Sequence, residues 1–304
     1  MKKDLLRVLD VTGRELLALL ASGREWKRRG NRPGGPRPLE GKTLAMIFQK
    51  ASTRTRVSFE VGMTRLGGRT IFLSPEDTQI GRGEPVRDTA RVLSRYVDGI
   101  VVRTYRQETV EEMAEWASVP VINGLTDDHH PCQVLADLMT ALERGIDLRR
   151  MKAAFIGDGN NVANSWVEAA HLLGFSLRIA SPKGFEPDAD VLREAAAGGK
   201  GEVRIVRDPA DAAKGADVVV TDVWTSMGKE KERRRRLQAF RGYRVDAGLL
   251  RNARKGAIVM HCLPAHRGEE ITDDVIEGPQ SAVFDEAENR MHVQIALLAK
   301  LIPH

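Results

Sequence analysis

Short apolar runs alternate with helix-period patterns along almost the whole chain. Runs at 43–48, 70–73, 99–102, 119–122, 153–156, 177–180, 203–206, 217–220, 257–260 and 282–284 have the length and bounding residues of strands. Between most of them, apolar residues recur at helical spacing, as at 87–97, 108–117, 131–145, 161–173 and 246–253. Such alternation predicts parallel sheets covered by helices, because each parallel connection needs a crossover. Ten short strands exceed what one compact sheet of this size carries. The expected fold is therefore α/β with two doubly wound domains, each a mostly parallel sheet flanked by helices.

The break falls at the long helix opening at Pro131. Val134, Leu135, Leu138, Met139 and Leu142 give that helix one apolar face, it ends near Gly145, and a fresh strand begins at about Lys152. The expected domains are 1–145 and 146–285. The last segment, 286–304, carries a helical pattern with no strand after it and is expected to return to the first domain. Residues 30–38, with three Gly and three Pro, form a loop between the first helix and the first strand. A second polar loop spans 74–85.

Composition narrows the class. The chain has 304 residues, 42% hydrophobic and 29% charged, the profile of a globular protein with room for two cores. No apolar run is long enough to span a bilayer, and the N-terminus runs straight into an amphipathic stretch, so no membrane partner is expected. Two cysteines, Cys132 and Cys262, make no disulfide framework, which favours a reducing cytoplasm. A net charge of +5 suits anionic substrates. The basic block Arg233–Arg236 follows alternating Lys and Glu on a helical pattern, with no aromatic residues interleaved. It is expected to be a solvated helical face and not a nucleic-acid patch.

The chemistry of the first half gathers at strand ends. After the apolar run ending at Phe48 come Ser52, Thr53, Arg54, Thr55 and Arg56, and then Phe59, Met63 and Leu66 at helical spacing. This strand-to-helix turn presents unpaired N–H groups and the positive end of a helix dipole, together with hydroxyls and guanidinium groups. It suits a dianion such as phosphate. A Ser/Thr cap followed by solvated arginines is the plainer use of the same residues. Arg103 follows the strand 99–102, where open α/β sheets place ligands. His130, Pro131, Cys132 and Gln133 open the long helix. An imidazole there stays neutral and donates, which suits a carbonyl, although a simple capping histidine fits as well.

In the second half, Gly157-Asp158-Gly159-Asn160-Asn161-Val162 follows a strand and opens a helix. The third glycine of a dinucleotide fingerprint is absent, and no acidic residue follows the next strand, so the turn is assigned to a small polar ligand. Asp222 through Gly228 follow the strand 217–220, and His261-Cys262-Leu263-Pro264 follow the strand 257–260. An Asp and a Cys at neighbouring strand ends suit an amine. A cysteine-protease dyad is the rival for Cys262, but the adjacent His261 points the opposite way on an extended chain. A His/Cys zinc site lacks paired-ligand spacing.

Together these motifs resemble the carbamoyltransferases. The likeness rests on Ser52-Thr53-Arg54-Thr55-Arg56, His130-Pro131-Cys132-Gln133, Asp222 through Gly228 and His261-Cys262-Leu263-Pro264. It extends to Gly81–Pro85, Thr126-Asp127-Asp128 and Asp285–Arg290, and so covers essentially the whole chain. The Ser226-Met227-Gly228 loop and the Cys262 motif resemble the ornithine-specific branch. Relatives using aspartate, putrescine or acylated ornithine generally lack that loop, and a carbamoyltransferase acting on another amine such as putrescine is the alternative.

The resemblance implies carbamoyl transfer from carbamoyl phosphate to L-ornithine, with domain 1–145 holding the donor and 146–285 holding ornithine. It implies donor contacts from Ser52, Thr53, Arg54, Thr55, Gln79, Arg103, His130, Pro131, Cys132, Gln133, Cys262, Leu263 and Arg290, and ornithine contacts from Asn161, Asp222, Ser226 and Met227. Arg103, His130, Asp222 and Cys262 take the catalytic roles. No metal or organic cofactor is implied. Gln79 is expected to reach a neighbouring subunit's site in a trimer or multiples of trimers. A cis peptide is expected before Pro264, and domain closure with movement of the Ser226 loop is expected on binding.

Overall fold

A computed structural model describes residues 3–30, 35–76, 78, 83–198, 200–226 and 228–303. Among them are nine strands and twelve α-helices, and the chain divides into two compact units, Met1–Met139 with Glu288–His304, and Thr140–Ala287. The expected class holds: each unit is built on a parallel sheet flanked by helices.

The first sheet comprises β1 (Thr43–Phe48), β2 (Arg69–Leu73), β3 (Gly99–Arg103) and β4 (Val121–Leu125), in the order β2-β1-β3-β4. Every strand pair is parallel. Strands β1 and β3 are central and buried along nearly their whole length. Ala45 and Ile47 meet Ile100 and Val102 on one face, against Ala90, Val110 and Met113. The alternate residues Leu44, Met46 and Val101 are buried on the other face. Two buried faces explain why these strands appear as unbroken apolar runs. The helices here are α1 (Gly13–Arg29), α2 (Thr53–Arg65), α3 (Val86–Leu93), α4 (Gln107–Trp116) and α5 (Pro131–Glu143).

The second sheet is β5 (Lys152–Ile156), β6 (Ser176–Ala180), β7 (Val203–Val206), β8 (Val218–Thr221) and β9 (Ile258–His261), in the order β7-β6-β5-β8-β9. Its helices are α6 (Asn161–Leu173), α7 (Ala189–Gly198), α8 (Pro209–Ala213), α9 (Arg233–Ala239), α10 (Ala247–Leu250) and α11 (Asp273–Ile276). In both sheets the winding reverses beside the first strand of the unit, at β1/β3 and at β5/β8. A sheet of this kind opens a crevice at the carboxyl ends of the two strands flanking the reversal.

The expected strand at 282–284 is not one. Ser281 makes a single parallel bridge to Val259, and Val283 already begins α12 (Val283–Leu301). Three apolar residues are too few to distinguish strand from helix, and Asp285 and Glu286 then favour a helix start through the dipole. The later part of α12 belongs to the first unit as expected. Lys27 of α1 donates to Asn289 Oδ1 at 2.8 Å and pairs with Glu288 at 3.4 Å.

Candidate active site

The first cluster sits at the β1/β3 reversal. Phe48 is in register with Arg103, and the Gln49 N–H donates to the Arg103 carbonyl at 2.8 Å, so the two strand ends lie side by side. Ser52 caps α2: its Oγ accepts from the Thr55 N–H at 3.2 Å and donates to Thr55 Oγ1 at 3.0 Å. That leaves Thr53 and Arg54 as the first two residues of the helix, where N–H groups have no intrahelical acceptor. The Arg54 Nε atom is buried and has no hydrogen-bond partner among the described residues. A buried guanidinium nitrogen with no acceptor, at a helix N-terminus, is a donor waiting for an anion.

Arg56, the second guanidinium of the turn, points elsewhere. It stacks 3.7 Å over the Phe72 ring and pairs with Glu60 at 3.0 Å, one helical turn on. Its place is taken by Arg290 of α12, whose Nη2 donates to Thr55 Oγ1 at 2.6 Å and which is 3% exposed. Arg103 is likewise buried. A register shift between β3 and β4, which pairs Val102 with Asn123 but Arg103 with Leu125, puts one extra residue of β4 opposite this strand end.

His130 enters from a turn built by Thr126. The Thr126 N–H donates to the His129 carbonyl at 2.9 Å, and the His129 N–H donates back to Thr126 Oγ1 at 3.0 Å. Pro131 then starts α5, and the His130 carbonyl accepts from the Gln133 N–H at 3.1 Å. Burial, reinforced by the nearby Arg290 and Arg103 charges, holds the His130 imidazole well below the usual histidine range. It is a neutral ring among cations. Gln133 Nε2 donates to Asp137 Oδ1 at 2.8 Å, which turns the amide so that its carbonyl oxygen faces away from that partner. Cys132 Sγ lies against the Asn123 carbonyl at 3.5 Å, and burial pushes the thiol up to about 12. Gln79 lies outside the described residues.

The second cluster sits at the β5/β8 reversal and extends to β9. Asp222, just past β8, accepts from Cys262 Sγ on Oδ1 at 3.0 Å and from Asn160 Nδ2 on Oδ2 at 2.6 Å. Asn160 also caps α6, its Oδ1 accepting from the Val162 and Ala163 N–H groups. The glycine turn serves packing: a Cβ on Gly159 would lie 2.1 Å from the backbone of Glu186 and Pro187. Here the glycine admits a neighbouring loop.

His261 and Cys262 do point apart. His261 is fully buried, with Nδ1 accepting from the Leu263 N–H at 2.9 Å and Nε2 donating to Glu270 Oε1 at 3.0 Å. The Leu263–Pro264 peptide is cis. Asn161 opens α6 beside Asn160, and the Ser226 carbonyl accepts from the Lys229 N–H at 3.0 Å. Met227 lies outside the described residues.

The basic block is only partly solvated. Arg236 is 4% exposed, and its Nη1 donates to Asp158 Oδ2 at 2.7 Å and to the Trp224 carbonyl at 2.9 Å. It thereby ties the loop after β5 to the loop after β8. Burial raises the Asp158 carboxyl to about 6 even with that guanidinium beside it. Arg236 was hidden in a run of four arginines. Only its place one helical turn after Glu232, its 3.0 Å partner, sets it apart in the sequence.

Two family models match the chain. One, described as aspartate/ornithine carbamoyltransferase, carbamoyl-P binding domain, matches residues 3–143, and its Asp/Orn binding domain counterpart matches 149–301. The chain belongs to the aspartate/ornithine carbamoyltransferase family. Among members of this family, one from Methanoculleus marisnigri named ornithine carbamoyltransferase is 55% identical over 302 residues, 99% of this chain and 97% of its own length. Another of that name, from Geobacter metallireducens, is 54% identical over 99% of this chain and all of its own. The solved ornithine carbamoyltransferase from Pyrococcus furiosus has TM-score 0.94 and 50% identity, covering 98% of this chain and 96% of that one. The one from Thermus thermophilus has TM-score 0.90 and 44% identity, covering 99% of each.

Proposed function

We propose that this chain is an ornithine carbamoyltransferase. It moves the carbamoyl group of carbamoyl phosphate to the δ-amine of L-ornithine, giving L-citrulline and phosphate. The observation that carries this reading is the name borne by full-length relatives more than half identical to the chain. The two clusters supply chemistry that suits it.

In this reading the phosphate lies on the Thr53 and Arg54 N–H groups, the Ser52 and Thr55 hydroxyls and the Arg54 guanidinium. Arg103, His130 and the Thr55 hydroxyl face the carbonyl oxygen, with Arg290 holding Thr55 in place. His130 serves as a neutral donor, consistent with its depressed basicity. The Gln133 carbonyl accepts from the carbamoyl NH2. Charge gathers on the carbonyl oxygen as the tetrahedral intermediate forms, and each preorganised donor is worth about 3 kcal/mol of barrier.

Ornithine must offer a neutral δ-amine. Asp222 and Cys262 orient it, while Asn161, Ser226 and Met227 hold the amino-acid end. The new N–C bond forms, the C–O bond to phosphate breaks, and the amine proton leaves with the phosphate. We further infer that the chain self-associates as a trimer or multiples of trimers, with Gln79 serving a neighbouring site, and works in the cytoplasm.

Initial rates with carbamoyl phosphate and ornithine, putrescine, aspartate or acetylornithine test the assignment. Ornithine should exceed every other acceptor in kcat/KM, and an equal or better rate with another amine would refute it. A solution mass of one chain would refute the trimer.

A further inference from the structure

The turn beyond Cys262 carries a second set of ligating groups that the proposed reaction does not use. His266 Nδ1 lies 3.9 Å from Glu269 Oε2 and 3.9 Å from Glu270 Oε2, and one ligand atom from each residue falls within 4.8 Å of the other two. The local chain brings them together, since the Glu269 N–H donates to the His266 carbonyl at 2.8 Å and the His266 N–H donates to Glu270 Oε1 at 2.6 Å.

Glu270 is the informative member. It is fully buried, and its Oε1 accepts from both the His261 ring and the His266 N–H. Its Oε2 has no hydrogen-bond partner among the described residues. A buried carboxylate oxygen with no donor is expensive to maintain, and this one faces the His266 ring and the Glu269 carboxylate. The neighbouring charges leave room for a cation. Arg233 pairs with Glu269 through its Oε1, leaving Oε2 turned toward His266. Arg267 is taken up by Asp273 and Glu277. Around the His266 ring stand two carboxylates and one guanidinium, an excess of one acidic group.

The geometry points to a divalent-cation site formed by His266 Nδ1, Glu269 Oε2 and Glu270 Oε2, of the kind that takes zinc. One nitrogen and two carboxylate oxygens form a donor set common for that ion, with water completing a tetrahedron. Zinc–ligand bonds of about 2.0–2.2 Å place ligand atoms roughly 3.4 Å apart, so the triad must close by only a small side-chain movement. His266 and Glu269 are partly exposed, which gives the ion an entry path. The other cluster of the same residue types, Asp222, His261 and Cys262, is a poor rival because both ring nitrogens of His261 are already engaged. The site also has a route to the proposed chemistry. Glu270 holds His261, His261 accepts from the Leu263 N–H, and the residue between them is Cys262. An ion on Glu270 therefore acts on the segment that presents the thiol to Asp222.

Calorimetric titration of the chelator-treated full-length protein with zinc tests the proposal. The variants are His266→Gln, Glu269→Gln and Cys262→Ser, each checked for folding by circular dichroism. Expected are one zinc per chain for the parent and for Cys262→Ser, and at least tenfold weaker binding for the other two. Cobalt substitution should give a visible spectrum without a thiolate charge-transfer band. Loss of binding in Cys262→Ser alone, a thiolate band, or unchanged binding in both triad variants would overturn the assignment, as would no binding by the parent. Should His266→Gln misfold, Glu269→Gln decides the matter, because that side chain is partly exposed and already neutralised by Arg233.

Discussion

Replacing Arg236 by methionine isolates the buried pair beneath the second cluster. The substitution keeps much of the stem's volume but removes the bonds to Asp158 Oδ2 and the Trp224 carbonyl, together with the pair to the half-exposed Glu232, which contributes little. Breaking a buried ion pair from one side typically costs about 3–5 kcal/mol, because a charge is left without compensation. Asp158 can escape part of that by taking a proton. Its folded-state value of about 6 lies above the 3.8 of an ordinary aspartate. Its contribution to stability is therefore fully present below 3.8 and is lost as pH rises through about 6, a swing of about 3 kcal/mol. Without the guanidinium the carboxyl moves higher still, so the variant's deficit should grow with pH. Near pH 5 the carboxyl is protonated in both proteins, and only lost hydrogen bonds separate them, about 1–2 kcal/mol. Near pH 7.5 the full penalty of about 3–5 kcal/mol should appear. Urea denaturation followed by tryptophan fluorescence at both pH values measures this, with Trp166 and Trp224 reporting from the second unit. The same variant should raise KM for ornithine while leaving KM for carbamoyl phosphate nearly unchanged, since the pair joins the loops carrying Asn160 and Asp222. A deficit below about 1 kcal/mol at both pH values would mean that Arg236 does not compensate a buried charge on Asp158.

Arg54→Ala should weaken carbamoyl phosphate binding about 10- to 150-fold, the worth of a charge-assisted hydrogen bond of roughly 1.5–3 kcal/mol; an unchanged saturation curve for that substrate would show that the guanidinium does not hold the phosphate. Cys262→Ala should impair ornithine use more than carbamoyl phosphate binding, and equal loss of both in a folded protein would contradict the division of roles. Gly159→Ala should displace the Glu186–Pro187 segment and cost several kcal/mol, on the order of the larger overpacking penalties; a melting temperature equal to the parent's would mean the close approach yields freely. Because His130 is held neutral, carbamoyl phosphate binding should show no imidazole titration between about pH 6 and 8. A binding transition near 6.5 that disappears in His130→Asn would show the ring to be charged.

Most of the fold was legible because its signals are local. The apolar runs that became β1, β3, β5 and β8 are buried on both faces, and a strand buried on both faces carries no alternation to misread. The turns at Ser52 and Gly157 announced themselves through capping residues and glycine. What escaped depends on partners distant in sequence. Arg56 reads as a second phosphate ligand from its neighbours in sequence, but Glu60 and the Phe72 ring occupy it. Arg236 looked solvated because its charge partner, Asp158, lies 78 residues away. Asn160 performs two tasks, capping α6 and holding Asp222, and only the first has a sequence signature. The three-residue apolar run at Val283 carries no period to tell strand from helix, and the bridge at Ser281 shows how near to sheet pairing that segment comes.

Product analysis follows the carbamoyl group itself. With ¹³C-labelled carbamoyl phosphate and L-ornithine, the proposed transfer should yield labelled citrulline and inorganic phosphate in equal amounts, with no citrulline formed when ornithine is withheld. Phosphate released without matching citrulline, or label appearing preferentially in the product of another amine when acceptors compete, would contradict it.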